Sequence, residues 1–148
     1  MLSAIKEEPL EYCYYIDKYF DNEDTAEELI ELYQAVLPLD EMADGMGDYF
    51  FPDNLQKEKG CLDHILPLLA KFPMKGIRLI NTGLNSSVTR NRNMACRAIS
   101  GWVKELDKPI ADISTGLYSE IIRLHEIEVN KDTKETMKKL ITGEYMDE

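Results

Sequence analysis

The sequence predicts an all-α protein. Along most of the chain, apolar residues recur at intervals of three and four, which places them on one face of a helix. Proline, glycine, serine and asparagine interrupt this pattern at short intervals, and no useful stretch alternates apolar and polar residues as a strand would. The chain has 148 residues, 44% apolar and 30% charged, so it fits one domain that can bury a core without a metal or a disulfide.

The N-terminal part, residues 1–60, is predicted to be irregular and acidic with one clear helix. Residues 24–37 carry their apolar side chains in a single stripe, and their acids lie near the start, where the helix dipole favours them. Asp24 or Thr25 is predicted to cap this helix because a glutamate follows three positions later, and Pro38 ends it.

Two further segments flank this helix. Pro9 is expected to open a helical stretch over residues 10–20, where apolar and aromatic side chains recur at helical spacing. Residues 38–60 contain acids, glycines and a proline, which predicts a loop with one short helical turn. The aromatic cluster Tyr49–Phe51 in this loop is expected to fold inward and pack the loop down, since large rings gain most from burial.

The C-terminal part, residues 61–143, is predicted to consist of regular helices, followed by a tail at residues 144–148. Short connections make consecutive helices antiparallel neighbours. Pro67 is expected to bend the first helix, and the last begins at a capping box that starts with Asp132. Trp102 is expected to be an interior anchor. The predicted helices cover residues 62–72, 74–84, 89–106, 109–124 and 132–141.

One stretch resembles a known repeat. Leu84 matches the last core residue of the first helix of a HEAT repeat, and the Ile65–Leu69 segment also resembles such a helix. The arginine, two alanines and aliphatic residue of the second helix are matched by Arg92, Ala95, Ala98 and Ile99.

Two positions depart from this pattern. Ser86 stands where the HEAT family usually has an aspartate, and Asn91 where it usually has a valine, so the usual aspartate–arginine ladder is incomplete. Arg92 is expected at the edge of the apolar stripe with its stem buried. The resemblance to the HEAT/armadillo-type family, best over residues 62–106, implies antiparallel helix pairs stacked as a short right-handed α–α superhelix, with a surface that binds proteins.

The cysteines are expected to be reduced and structural. Cys13, Cys61 and Cys96 are odd in number and far apart, and no CxxC spacing indicates a redox pair or a zinc site. Since no apolar run approaches the ~20 residues of a membrane span and the chain starts without a signal-peptide core, we expect a cytoplasmic protein with no membrane contact.

Charge is the main functional signal. The formal net charge is −11; residues 1–74 carry 17 acids and 5 bases, whereas residues 75–148 carry 11 acids and 12 bases. This field disfavours nucleic acid and favours a protein partner with a basic surface, although an acidic surface also serves solubility alone. No oligomeric state is predicted. The predicted partner-binding residues are the acids Glu27, Glu28, Glu31, Asp40, Glu41, Asp44 and Asp48.

Three functional classes follow. The first is a non-enzymatic helical-repeat module for protein–protein interaction, with no catalytic residue, cofactor or metal, because GxSxG, HExxH and a glycine-rich phosphate loop are all missing from the sequence. The second is an acidic inhibitor of the immunity or antitoxin type that covers a basic protein. The third is a small metalloprotein or enzyme centred on Cys61, Asp63 and His64.

Overall fold

The computed structural model describes residues 1–52 and 54–144, and all regular structure within these residues is helical. The all-α prediction is therefore confirmed. Of the predicted tail, only residue 144 lies within the described residues. Three short 3₁₀ segments accompany the α-helices, at Cys13–Tyr15, Asp17–Asp21 and Leu66–Lys71. The α-helices are α1 (Leu2–Glu7), α2 (Glu23–Val36), α3 (Leu39–Met42), α4 (Gln56–Ile65), α5 (Ile77–Leu84), α6 (Thr89–Leu106), α7 (Ile110–Ile113), α8 (Thr115–Ile127) and α9 (Lys131–Thr142).

The helix predicted over residues 24–37 is present as α2. Its cap is Asn22 rather than Asp24 or Thr25: the Asn22 side chain accepts the backbone N–H of Thr25 at 3.1 Å. The chain leaves helical geometry at Leu37, directly before Pro38, as predicted. The short turn expected in the following loop is α3.

The helix expected over residues 10–20 is not an α-helix but two 3₁₀ turns. Long-range contacts hold this segment in place: the Tyr33 hydroxyl donates to the Pro9 carbonyl at 2.7 Å, and Cys13 is joined to Cys61. Apolar residues of this segment still pack into the core, since Cys13 and Ile16 are fully buried.

Helix α6 lies at the centre of the C-terminal part. It packs against α4, the Leu66–Lys71 segment, α5 and α9. Consecutive helices pack as the pairs α5/α6 and α8/α9, while α6 also contacts α9 and α5 contacts α8, so the two pairs stack side by side. The bend predicted at Pro67 is the change from α4 to the 3₁₀ segment.

Several predicted boundaries differ in this part: α4 begins at Gln56 rather than at residue 62, and α5 begins at Ile77 rather than at residue 74. The helix expected over residues 109–124 is broken at Ser114, whose hydroxyl accepts the N–H of Leu117 at 3.2 Å and caps α8. Helix α9 is capped by Asn130 rather than Asp132, through the N–H of Thr133 at 3.0 Å. For α8 and α9 the small polar residue just before the helix is the cap that its backbone requires.

The backbones of α6 and the 3₁₀ segment Leu66–Lys71 approach closely. A Cβ atom built on Gly101 would lie 2.4 Å from the Cβ of Ala70 and 2.8 Å from its backbone oxygen, so glycine permits this contact. The adjacent Trp102 is fully buried, and its indole N–H donates to the Leu69 carbonyl at 2.7 Å. The prediction that Trp102 is an interior anchor is confirmed.

The prediction of three reduced cysteines is wrong for two of them. Cys13 and Cys61 form a disulfide, with Cα atoms 5.7 Å apart and a sequence separation of 48. Such a separation gives no sequence signal, because only the fold brings the two residues together. Cys96 stays a free thiol, and burial raises its pKa to about 12, which makes it inert.

Candidate functional site

The aromatic loop, Tyr49–Phe51, lies on the surface. Phe50 is 83% exposed and Phe51 is 76% exposed, and the two rings meet edge to face with centroids 4.8 Å apart. The prediction that these rings pack inward is wrong. The Tyr49 backbone explains why: its N–H donates to Ser87 and its carbonyl accepts from Thr89, so backbone bonds hold the loop without burying the rings.

A groove of about 770 Å³ opens beside this loop. It lies between the loop, α4 and the N-terminal turns of α6 and α9. Its lining combines the two exposed rings with carboxylates, amides and two cations. The lining residues are Asp48, Phe50, Phe51, Pro52, Gln56, Lys59, Gly60, Asp63, Val88, Thr89, Arg90, Asn91, Asn93, Asn130 and Asp132.

A buried lysine ties the loop to the groove. The Lys59 side chain is only 1% exposed, and its Nζ donates to the Asp44 carboxylate at 2.8 Å. The same carboxylate accepts the backbone N–H and the hydroxyl of Ser87, at 2.8 and 2.9 Å. Partial burial raises the pKa of Asp44, but the hydrogen bonds from Lys59 and Ser87 outweigh it, so the pKa lies below its usual value.

Asp63, on α4, binds two residues of α6 through its carboxylate. Arg90 Nε lies 2.7 Å from one carboxylate oxygen, and Asn91 Nδ2 donates to the other at 2.8 Å. Burial raises the pKa of Asp63, against the lowering effect of these two partners. Asn91 also accepts from Ser86, so the two positions that depart from the HEAT pattern bond to each other at 2.9 Å.

A buried ion pair, for which the sequence carried no signal, joins Arg92 and Glu128. Arg92 donates to Glu128 through two nitrogens and to the Ser86 carbonyl at 3.0 Å, and both charged side chains have no exposed surface. The prediction that Arg92 lies at the edge of the apolar stripe is therefore wrong, because its side chain lies inside the protein. Glu128 also accepts the N–H of Asn130 at 3.0 Å, which fixes the start of α9.

Asp48 joins the aromatic loop to two helices. Its Oδ1 accepts the Thr89 hydroxyl of α6 at 2.6 Å and the amide of Asn130, the α9 cap, at 3.2 Å. The hydrogen bond from Thr89, followed by that from Asn130, lowers the pKa of Asp48. This carboxylate is therefore ionised at neutral pH and fixed at the groove rim.

Four of the seven predicted partner-binding acids take part in different networks within the protein. Glu28 pairs with Lys6 of α1, and Glu27 lies 3.0 Å from Lys75. Asp44 and Asp48 hold the aromatic loop, as described above. Three acids are exposed and form no ion pair with any residue that the structure describes: Glu31, Asp40 and Glu41.

Asp63 and His64 line one pocket, whereas Cys61 is buried and is not among the residues that line it. Cys61 is in the disulfide, Asp63 faces Arg90, and His64 Nε2 lies 2.6 Å from the Asp17 carboxylate. Across residues 1–52 and 54–144, no group of three or more histidine, cysteine, aspartate or glutamate side chains is arranged to hold a metal ion.

Every buried polar side-chain atom in the described part of the chain has a hydrogen-bond partner. The sequence signal for the site was the pair Phe50–Phe51 within an acidic, proline-containing loop, but the partners of that loop come from residues about 40 positions further on.

Comparison with protein-family models, with curated proteins and with solved structures finds no match for this chain. Among the described helices, none combines the length and the apolar character needed to cross a bilayer.

Proposed function

We propose that the protein is a non-enzymatic protein-interaction module that binds its partner at the aromatic loop and the adjacent groove. The observation that carries this proposal is the exposure of Phe50 and Phe51, 83% and 76%, on a loop held by backbone hydrogen bonds. Keeping two adjacent large rings in water is unfavourable, and rings that project beside a groove are typical anchors of protein interfaces.

The rigidity of the site supports the proposal. The carboxylates of Asp44 and Asp48 connect the loop to α4, α6 and α9 through hydrogen bonds of 2.6 to 3.2 Å. A binding surface that is already ordered loses little conformational entropy when its partner arrives. The stacked pairs α5/α6 and α8/α9 also support a HEAT-like superhelix as the scaffold, and we keep this as part of the proposal.

The cytoplasmic location remains a proposal as well. The disulfide between Cys13 and Cys61 weighs against a strongly reducing compartment, because glutathione and thioredoxin keep most cytosolic thiols reduced. Its complete burial, with both cysteines at 0% exposure, would slow reduction by excluding the attacking thiolate.

A second candidate function is an acidic inhibitor of a basic protein. It is favoured by the net charge of −11 and by Glu31, Asp40 and Glu41, three exposed acids that form no ion pair within residues 1–52 and 54–144. In that case the partner would be steered to α2 and α3 rather than to the groove.

One capture experiment tests both candidates. The wild-type protein, immobilised, is incubated with extract of its native cell beside three variants: Phe50→Ala/Phe51→Ala, Tyr14→Ala/Tyr15→Ala and Glu31→Gln/Asp40→Asn/Glu41→Gln. The tyrosines are the matched control, because they are adjacent aromatic residues, 56% and 58% exposed, that lie outside the groove lining.

The interaction module predicts that one partner is lost with the phenylalanine variant and retained by the tyrosine control. Loss with the acidic-residue variant alone supports the inhibitor. Capture that is the same for all four proteins, each shown to be folded by circular dichroism, would contradict both.

A further inference from the structure

We propose that the groove binds a short segment of a partner protein in which a lysine or arginine stands next to an apolar residue. This inference rests on the proposed function and specifies the chemistry of the partner. It follows from the charges of the groove, from the Asp48 oxygen that accepts no hydrogen bond from the described residues, and from the position of the exposed rings.

The unmatched charge of the groove is negative. Its two cations already have partners, since Lys59 pairs with Asp44 and Arg90 pairs with Asp63. Asp48 and Asp132 line the same groove, and neither forms an ion pair with a cation in the described residues. A bound cationic side chain therefore meets two carboxylates that form no direct ion pair within the described part of the chain.

Asp48 presents an available oxygen. Both hydrogen bonds from Thr89 and Asn130 go to Oδ1, so Oδ2 accepts none from the described part of the chain. The carboxylate is thus held in position by one oxygen while the other can accept a charge-assisted hydrogen bond, the stronger kind at interfaces. Asp132, in the first turn of α9, is exposed to solvent.

The exposed rings would contact the apolar residue of the segment. Phe50 and Phe51 line the same groove as Asp48, so a segment that reaches the carboxylate also passes the two exposed rings. An apolar neighbour of the cation would cover these rings, and the cation itself is attracted to ring faces. The volume of about 770 Å³ is sufficient for a few side chains and not for a folded domain.

Acidic ligands fit this groove poorly. A phosphate or carboxylate placed beside Asp48 and Asp132 would meet like charges, and both cations that could neutralise it are engaged. The charge pattern thus distinguishes a basic–apolar segment from an acidic peptide or a nucleic acid.

The test uses three fluorescein-labelled heptapeptides and fluorescence anisotropy. The probe is Gly-Ser-Arg-Trp-Arg-Ser-Gly; one control replaces both arginines by glutamate, and the other replaces the tryptophan by alanine. We expect only the probe to bind. In NMR spectra of the protein, the backbone amide signals that change when the probe is added should belong to the aromatic loop and to the starts of α6 and α9.

Variants of the protein then assign the contacts. Phe50→Ala/Phe51→Ala should weaken binding at least about tenfold. Asp132→Asn should weaken binding of the probe roughly two- to fivefold, as expected for an exposed charge pair. The double variant Asp48→Asn/Asp132→Asn should weaken it further. Glu31→Gln/Glu41→Gln also removes two negative charges, but from outside the groove, so it should leave the affinity for the probe unchanged.

Several outcomes overturn the inference: no binding of the probe at millimolar concentration, equal or tighter binding of the glutamate peptide, or unchanged affinity of Asp132→Asn. If Asp48→Asn/Asp132→Asn does not fold, Asp132→Asn decides alone, because the Asp132 side chain makes no hydrogen bond within the described residues. Capture of the native partner that depends on Phe50 and Phe51 but not on Asp132 would reject this inference while leaving the proposed function standing.

Discussion

Arg92 and Glu128 form a two-point ion pair inside the protein. Arg92 Nε donates to Oε1 of Glu128 at 2.7 Å and a terminal guanidinium nitrogen donates to Oε2 at 2.6 Å, with no exposed surface on either side chain. The pair connects α6 to the end of α8, where Glu128 is the first residue beyond the helix. Arg92 also donates to the Ser86 carbonyl at 3.0 Å, and Glu128 provides the carboxylate that balances its charge.

Breaking this pair should strongly destabilise the protein. Arg92→Met leaves the Glu128 charge buried and unpaired, so we expect a loss of about 3–5 kcal/mol in the free energy of unfolding in urea. Adding Glu128→Gln to this variant removes the unpaired charge and should recover part of the lost stability. Lys75→Ala, which breaks an ion pair with the exposed Glu27, is the control and should change the free energy of unfolding little, because solvent screens exposed pairs. Equal stabilities of Arg92→Met and wild type would contradict the role of the pair.

Gly101 should tolerate no side chain. In Gly101→Ala the new methyl group would lie 2.4 Å from the Ala70 Cβ and close to its backbone, so α6 and the 3₁₀ segment Leu66–Lys71 must move apart. We expect a loss of about 1–3 kcal/mol, measured by thermal and urea unfolding. Gly116→Ala is the matched control, since its nearest contact would be 3.9 Å away, and it should be neutral or stabilising by up to about 1 kcal/mol. Equal effects of the two substitutions would show that the close approach is unimportant.

The disulfide should contribute to stability through the unfolded chain. Cys13 and Cys61 close a loop with a separation of 48 residues, for which the chain-entropy estimate is about 4 kcal/mol. Reduction, or Cys13→Ala/Cys61→Ala, should lower the free energy of unfolding by up to this amount. Thiol titration in denaturant should find one reactive cysteine, Cys96, before reduction and three afterwards. Three reactive thiols in protein purified without reductant would rule out the bond.

Asp44 should make the fold sensitive to acid. Its pKa in the folded protein lies below the unfolded value of 3.8, so the folded state prefers the ionised carboxylate. The resulting stability is present above that unfolded value and is lost as the pH falls through the lower, folded value. Asp44→Asn should therefore be destabilised at pH 6, and its difference from wild type should shrink by pH 2–3. Asp40→Asn, at an exposed acid, is the control, and a pH-independent difference for Asp44→Asn would contradict this linkage.

Local patterns predicted the parts of the fold that depend on neighbours in sequence. The apolar stripe and Pro38 were sufficient to place α2, and the spacing of Ala95, Ile99 and Trp102 placed the buried face of α6. Helix starts were less predictable, because Asn22 competed with Asp24 and Thr25 as a cap of nearly equal chemistry.

The candidate site was largely unpredictable because its contacts are distant in sequence. Asp44 and Asp48 were selected as acids available to a partner, whereas their partners Ser87 and Thr89 lie 43 and 41 residues away and use them to hold the loop. Phe50 and Phe51 were expected to be buried, since composition alone does not show whether the fold offers a cavity for them. Arg92 was identified as partly buried, but Glu128, 36 residues further on, carried no signal.

Trp102 is the only tryptophan of the chain, and its complete burial against the Leu69 carbonyl makes it an optical reporter. An indole in apolar surroundings emits at shorter wavelengths than one in water, so a red shift of the emission should follow the separation of α6 from the 3₁₀ segment Leu66–Lys71. The groove contains only phenylalanine rings, whose emission is weak, and Trp102 is not among its lining residues. Intrinsic fluorescence will therefore follow unfolding of the core, and a partner without tryptophan that covers Phe50 and Phe51 should leave this emission unchanged.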